Sequence, residues 1–197
     1  VGAAGVEAFG ASALVGAVEP SALHVWWGDE RFLPAGDVER NDTAALIALA
    51  PLGIPAANIH PVPGPDAVSS PEEAAQSYSG ELARYAAPGA EVPGFDVLLL
   101  GVGPDGHVAS LFPGHEGLSA AGTVVGVHGS PKPPPLRVSL TLEALDAAAR
   151  LWLVAAGEEK AEAVRGGLAG DRSLPCATVA GRHETLWLLD VAAAGAG

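Results

Sequence analysis

The chain has 197 residues, a formal net charge of −13 and an isoelectric point near 4.7. This length suits a single domain, and the acidity argues against nucleic acids and anionic membrane surfaces as partners, because both bind basic patches. A membrane span is not expected, since Gly, Pro or charged residues interrupt every apolar run. The single cysteine, Cys176, excludes an internal disulfide and metal sites built from several cysteines, and it is consistent with a cytoplasmic location.

In the first half of the chain, helix signals are stronger than strand signals. The best helix start is Ser70, where Pro71 takes the first helical position and Glu73 falls three residues after the cap. The run Asn41-Asp42-Thr43 offers capping side chains for a second helix. The sequence predicts a weak helix over residues 1–18, helices over residues 41–49 and 70–86, short strands over residues 23–27 and 59–62, and a polar loop over residues 29–40.

The second half of the chain alternates strands with helices. This alternation predicts an α/β fold with a mostly parallel sheet and helices on both faces. Residues 1–197 are expected to form one domain, because no linker divides them, and the lack of an initiator Met leads us to expect a missing N-terminal segment. The predicted strands are residues 95–100, 123–127, 137–141, 151–155 and 186–189, and the predicted helices are residues 142–150 and 158–168.

A glycine-rich turn, Gly101-Val-Gly-Pro-Asp-Gly-His107, follows the most apolar predicted strand. In open parallel sheets, ligands bind beyond the carboxyl ends of strands, and glycines let backbone N–H groups approach an anion. We therefore expect Gly101, Gly103 and Gly106 to contact an anionic substrate. A dinucleotide site is not favoured, because Pro104 interrupts the GxGxxG pattern and no acidic residue stands about 20 positions further on.

The same turn carries Asp105 and His107, a pair with catalytic potential. Histidine acts as a general base near neutral pH, and a carboxylate two residues away orients it or favours its cation. An ordinary surface histidine is the alternative, but the position at a strand end favours catalysis. A metal site is not expected, because His107 and His115 are separated by Pro113 at a spacing that matches no standard ligand pattern.

Other charged residues also follow predicted strand ends. Asp29 and Arg31 come after the strand at residues 23–27, where they are candidates to bind sugar hydroxyls and a phosphate. The alternative is a solvated turn with a weak salt bridge. Lys132 and Lys160 are the only lysines. In so acidic a chain, these two and Arg137 are candidate anion clamps.

Several long runs occur along the chain in a fixed order. They are Trp27-Gly-Asp-Glu-Arg-Phe-Leu-Pro34 with Glu39-Arg-Asn41, the run from Gly101 to Pro113, Ser130-Pro-Lys-Pro-Pro-Pro-Leu-Arg-Val-Ser-Leu-Thr-Leu142, Gly157-Glu-Glu-Lys-Ala161, and Thr185-Leu-Trp-Leu-Leu-Asp190. Together these runs resemble the signatures of the 6-phosphogluconolactonase family. One such run is a weak match, but the first four runs and the C-terminal run in this order, from about Leu23 to Asp190, make the resemblance specific.

The resemblance implies a Rossmann-like fold and hydrolysis of 6-phospho-D-glucono-1,5-lactone to 6-phosphogluconate in the oxidative pentose phosphate pathway, without a metal or an organic cofactor. It implies that His107 is the general base that activates a water molecule and that Asp105 orients His107 or contacts substrate. The implied substrate-binding residues are Asp29, Arg31, Gly101, Gly103, Gly106, Lys132, Arg137 and Lys160, with Lys160 the best placed for the phosphate.

Two other functions stay open. A sugar-phosphate isomerase or deaminase of the same fold would act on glucosamine-6-phosphate or ribose-5-phosphate, although the run Ser110-Leu-Phe-Pro113 favours a lactonase because the deaminases carry a different run there. A non-catalytic sensor would bind 6-phosphogluconate without turnover, which the presence of Asp105 and His107 argues against. The expected partner is a small sugar phosphate, and the expected state is a monomer or a small homo-oligomer.

Overall fold

The computed structural model describes residues 19–195, so the helix predicted over residues 1–18 lies outside the described residues. No helix within residues 19–195 is long and apolar enough to cross a membrane. The strands are β1 (Val25–Trp26), β2 (Asp29–Arg31), β3 (Ile59–His60), β4 (Val97–Gly101), β5 (Val124–Val127), β6 (Arg137–Leu140), β7 (Arg150–Ala155) and β8 (Glu184–Leu189). The α-helices are α1 (Asn41–Leu49), α2 (Pro71–Arg84), α3 (Leu142–Asp146) and α4 (Ala161–Leu168).

Two of the three sheets are parallel, which confirms the prediction of an α/β fold with parallel sheets. β1 pairs with β3, and β7 lies between β4 and β8. In the second sheet, Gly101 at the end of β4 lies opposite Val154 near the end of β7. The segments that follow β4 and β7 therefore emerge at the same edge of the sheet.

The third sheet is antiparallel, in the order β2-β6-β5, and departs from the prediction of a mostly parallel sheet. Its first strand, Asp29–Arg31, falls within residues 29–40, so the prediction of a loop is wrong there. Three consecutive charged residues carry no apolar strand signal, and it is pairing with β6 that makes them a strand. This pairing sets Asp29 opposite Ser139 and Arg31 opposite Arg137.

Helix α2 begins where the sequence predicts. The Oγ of Ser70 accepts a hydrogen bond from the amide of Glu73 at 3.2 Å, and the Glu73 carboxylate accepts one from the amide of Ser69 at 2.8 Å. On the buried face of the helix, the hydroxyl of Tyr78 accepts from the amide of Trp27 at 2.8 Å and donates to the Trp27 carbonyl at 3.1 Å. Helix α2 is thus tied to the end of β1.

Two other helix predictions need correction. No side chain from residues 41–43 caps α1; instead the Glu30 carboxylate accepts hydrogen bonds from the amides of Asn41 at 2.7 Å and Asp42 at 2.8 Å. Helix α3 ends at Asp146 rather than at residue 150, because Arg150 already opens β7. In both cases a tertiary contact decides the boundary.

The two faces of the β4-β7-β8 sheet differ. On one face, Leu100 and Leu153 are buried and α4 packs closely against Trp187 through Gly167. The other face carries apolar side chains that are exposed. Within residues 19–195, the prediction of helices on both faces is therefore met on one face of this sheet only. The exposed side chains are those of Val97, Leu99, Leu186 and Leu188.

Candidate active site

The predicted site residues gather beyond the carboxyl ends of parallel strands. Asp29 follows β1, the glycine turn follows β4, and Lys160 lies on the turn after β7. The antiparallel sheet adds Arg31 and Arg137, which lie opposite each other on β2 and β6. This edge is where open α/β sheets bind ligands, and the structure brings these four segments of the predicted site together.

The glycines of the turn are required by its backbone conformation, and two of their amides are not free to bind an anion. A Cβ at Gly103 would overlap the imidazole of His107 and lie 2.6 Å from Oδ1 of Asp105, and Gly106 has a φ of +79°. The amide of Gly103 donates to the carbonyl of His107, and the amide of Gly106 donates to the carbonyl of Gly103, both at 2.9 Å. Gly101 belongs to the β4 ladder. The expectation that the Gly103 and Gly106 amides bind an anion is not supported, because both amides already have acceptors.

The imidazole of His107 is held by Asp105. Its Nδ1 is hydrogen-bonded to Oδ1 of Asp105, and its side chain is 14% exposed. Burial alone would raise the pKa of Asp105, but the hydrogen bond and charge of His107 outweigh burial and lower it. An ionised Asp105 accepts the proton of Nδ1, so the lone pair of neutral His107 lies on Nε2.

The pKa of His107 is lowered below its usual value of 6.5, chiefly because burial disfavours the cation. The hydrogen bond and charge of Asp105 act in the opposite direction, the ammonium of Lys132 lowers the pKa, and the carboxylate of Asp29 raises it. Lys132 and Asp29 therefore both lie within electrostatic range of the imidazole. At neutral pH, His107 is mainly in the form that accepts a proton.

The carboxylate of Asp29 is fixed from two sides. The hydroxyl of Ser110 donates to Asp29 Oδ2 at 2.6 Å, and the side-chain amide of Asn41 donates to the Asp29 carbonyl at 2.9 Å and to Oδ1 at 3.4 Å. The neighbouring Arg31 donates through Nη1 to the carbonyl of Glu39, while its Nε is buried and has no acceptor among the described residues. Arg31 thus carries a buried N–H group whose acceptor the described residues do not supply.

The three remaining cations differ in how much of their charge faces the site. Arg137 is 5% exposed, and its guanidinium donates to the carbonyls of Pro134, Lys132 and Pro133 at 3.0–3.3 Å. Burial lowers its pKa. Lys132 is exposed on the loop that Arg137 holds, and the Nζ of Lys160 donates to the carbonyl of Val102. Most N–H groups of Arg137 therefore bond within the protein, whereas the two lysines keep donors for an anion.

Sequence reasoning missed Ser110 and Asn41 as site residues. Their only signal was membership of runs that also hold Asp29 and His107. Cys176 is buried, and burial raises the pKa of its thiol to about 11, so the thiol is protonated at neutral pH. Residues 19–195 contain no group of three or more His, Cys, Asp or Glu side chains placed to hold a metal ion.

Comparison with known proteins gives consistent matches. A family model described as Glucosamine-6-phosphate isomerases/6-phosphogluconolactonase matches residues 3–187. A 6-phosphogluconolactonase of Streptomyces coelicolor is 54% identical over 186 residues, which cover 90% of this chain and 71% of that protein. A 6-phosphogluconolactonase of Mycobacterium leprae is 44% identical over 183 residues, with 90% and 74% covered. The solved structure of a 6-phosphogluconolactonase from Trypanosoma brucei aligns with a TM-score of 0.81 at 30% identity, covering 98% of this chain and 81% of that one.

Proposed function

We propose that this chain, which belongs to the glucosamine-6-phosphate isomerase/6-phosphogluconolactonase family, hydrolyses 6-phospho-D-glucono-1,5-lactone to 6-phospho-D-gluconate. The observation that carries the proposal is the state of His107. Its Nδ1 is bound to Asp105, its pKa is lowered by burial, and the ammonium of Lys132 lies within electrostatic range. An imidazole in this state is a general base at neutral pH.

In the proposed reaction, Nε2 of His107 removes a proton from a water molecule while the water oxygen attacks C1 of the lactone. The tetrahedral intermediate then collapses, the bond between C1 and the ring oxygen breaks, and the imidazolium returns the proton to that oxygen. The acid formed at C1 ionises to the carboxylate. Asp105 holds the imidazole in the required tautomer throughout, and neutral Nε2 is regenerated after each turnover.

The substrate phosphate is an anion, and the chain offers few cations to hold it. Lys160 and Lys132 keep donors at the site, and Arg31 has a buried Nε without an acceptor in the described part of the chain. We assign the phosphate to the lysines and the lactone oxygens to Arg31. Asp29 accepts hydrogen bonds from sugar hydroxyls. Binding energy gained at the phosphate positions C1 next to His107.

The test is hydrolysis of the lactone at neutral pH, corrected for the spontaneous reaction in buffer. We expect wild type to accelerate ring opening and His107→Ala to lose about 10²- to 10⁴-fold in kcat. His183→Ala is the matched control, because His183 is exposed and precedes β8 at the opposite edge of the sheet from the site. Turnover of glucosamine-6-phosphate by a wild type that leaves the lactone untouched would instead assign the site to an isomerase or deaminase. Binding of 6-phosphogluconate without any turnover would make the chain a sensor.

A further inference from the structure

We infer that Ser110 is a positioning residue of the proposed lactone-hydrolysing site, where its hydroxyl holds the Asp29 carboxylate in place beside His107. The inference rests on the proposed function. Ser110 is fully buried, and its Oγ lies 2.6 Å from Oδ2 of Asp29. It does not itself face solvent.

The direction of the hydrogen bonds at Ser110 is fixed by its partners. Nη1 of Arg137 lies 3.4 Å from the Ser110 hydroxyl oxygen, and a guanidinium donates but cannot accept. An ionised carboxylate accepts but cannot donate. The single proton of Ser110 must therefore point to Asp29, and the hydroxyl links a buried cation to a carboxylate at the site.

The backbone of Ser110 is anchored as well. Its amide donates to Oγ of Ser139 at 3.2 Å, so the loop that carries His107 is pinned to β6 at this residue. Its side chain then reaches across to β2, where Asp29 lies. Ser110 thus joins the His107 loop, β6 and β2, and it sets the position of Asp29 relative to the imidazole.

Loss of the hydroxyl leaves opposite charges on Asp29 and Arg137 with nothing between them. The carboxylate is then free to turn toward the guanidinium and away from the sugar. Because misplacement of a ligating group by about 1 Å costs up to about 100-fold in rate, we expect Ser110→Ala to lower kcat/KM about 10- to 100-fold. Ser110→Cys keeps the shape of the side chain with a somewhat larger atom that donates weakly, so it is expected to lose a similar factor.

A double-mutant cycle separates positioning from a merely structural role. We measure kcat and KM for lactone hydrolysis in wild type, Ser110→Ala, Asp29→Ala and the double variant, with Ser110→Cys as a second substitution at the site. If Ser110 acts through Asp29, Ser110→Ala costs little once Asp29 is already alanine. Ser139→Ala is the matched control, because its buried hydroxyl holds the same loop without touching the Asp29 carboxylate, and it is expected to lose much less than Ser110→Ala.

Four outcomes overturn the inference. Equal losses from Ser110→Ala with and without Asp29 mean that the serine acts on the fold rather than through the carboxylate. Equal losses from Ser110→Ala and Ser139→Ala carry the same meaning. If Ser110→Cys has the kcat/KM and the melting temperature of wild type, no strong hydrogen bond from this position is needed. A wild type that does not accelerate hydrolysis overturns the proposed function and this role together, so the two failures are distinguishable.

Discussion

Glu30 allows a direct test of the electrostatics beneath the site. Its side chain is 1% exposed, and its carboxylate accepts hydrogen bonds from the amides of Arg31, Asn41 and Asp42 at 2.7–2.8 Å. Burial raises its pKa from 4.5 to about 7; the three amides lower it, and the charge of Asp42 raises it further. The substitution Glu30→Gln keeps the shape of the side chain and removes its titration.

The sign of the effect on stability follows from proton binding. Between pH 4.5 and pH 7, Glu30 is ionised in the unfolded chain and protonated in the folded chain. The folded state therefore binds more protons, and stability falls as pH rises through this window. The difference of about 2.5 between the two pKa values, at about 1.36 kcal/mol for each pH unit, amounts to about 3 kcal/mol. Above pH 7 the contribution is constant.

The measurement is the free energy of unfolding in urea, for wild type and Glu30→Gln, at several pH values from about 5 to about 8. Gln turns an N–H group toward one backbone donor, which costs about 1–3 kcal/mol at every pH. On top of this offset, we expect the stability of wild type relative to Glu30→Gln to fall by about 3 kcal/mol as pH rises. A difference that is flat or rises with pH would refute the reasoning. It would show that Arg40, whose Nη2 lies 3.9 Å from Oε2 of Glu30, outweighs the cost of burial.

Three further predictions concern the site and its support. Gly103→Ala places a Cβ against the imidazole of His107, so we expect kcat to fall by about 100-fold. Gly80→Ala is the control, because a Cβ at this position on α2 meets no other atom, and it is expected to keep full activity in the same assay. Tyr78→Phe leaves the amide of Trp27 buried without a partner and is expected to lower the free energy of unfolding by about 1–3 kcal/mol, with the more exposed Tyr85→Phe unchanged. We expect kcat/KM to rise with pH through a midpoint below 6.5, the usual pKa of histidine, because burial lowers the pKa of His107. We expect Asp105→Asn to move that midpoint lower, because the carboxylate of Asp105 raises the pKa of His107. A midpoint that rises in Asp105→Asn would contradict this account of the pair.

The apolar strands and the capped helix of this fold can be predicted from the sequence. The predicted strands at residues 95–100 and 151–155 correspond to β4 and β7, and the helix start at Ser70 is correct, because each signal depends on local residue types. Asp29–Arg31 shows the limit of such signals. These residues form a strand only because β6 offers backbone partners from a segment about 100 residues further along the chain.

The site shows the same division between local and distant information. Asp105 and His107 are two residues apart, so their pairing is visible in the sequence and is present in the structure. The bond between Ser110 and Asp29 spans 81 positions and has no local signature. The role of Arg137 was open for a different reason. A charged side chain near a strand end looks the same in sequence whether it bonds to a ligand or to the protein, and only the structure shows that most N–H groups of Arg137 bond within the protein.

The bonding of Arg137 has a consequence for how this position tolerates exchange. In its planar guanidinium, Nη2 donates to the carbonyls of Lys132 and Pro133, Nε donates to the carbonyl of Pro134, and Nη1 donates to the hydroxyl of Ser110. A lysine would carry the same charge on one tetrahedral nitrogen, which cannot serve acceptors arranged around a plane. A library randomised at this codon and selected for lactone turnover should therefore return arginine and reject lysine, although a similarity matrix scores the two as near equivalents.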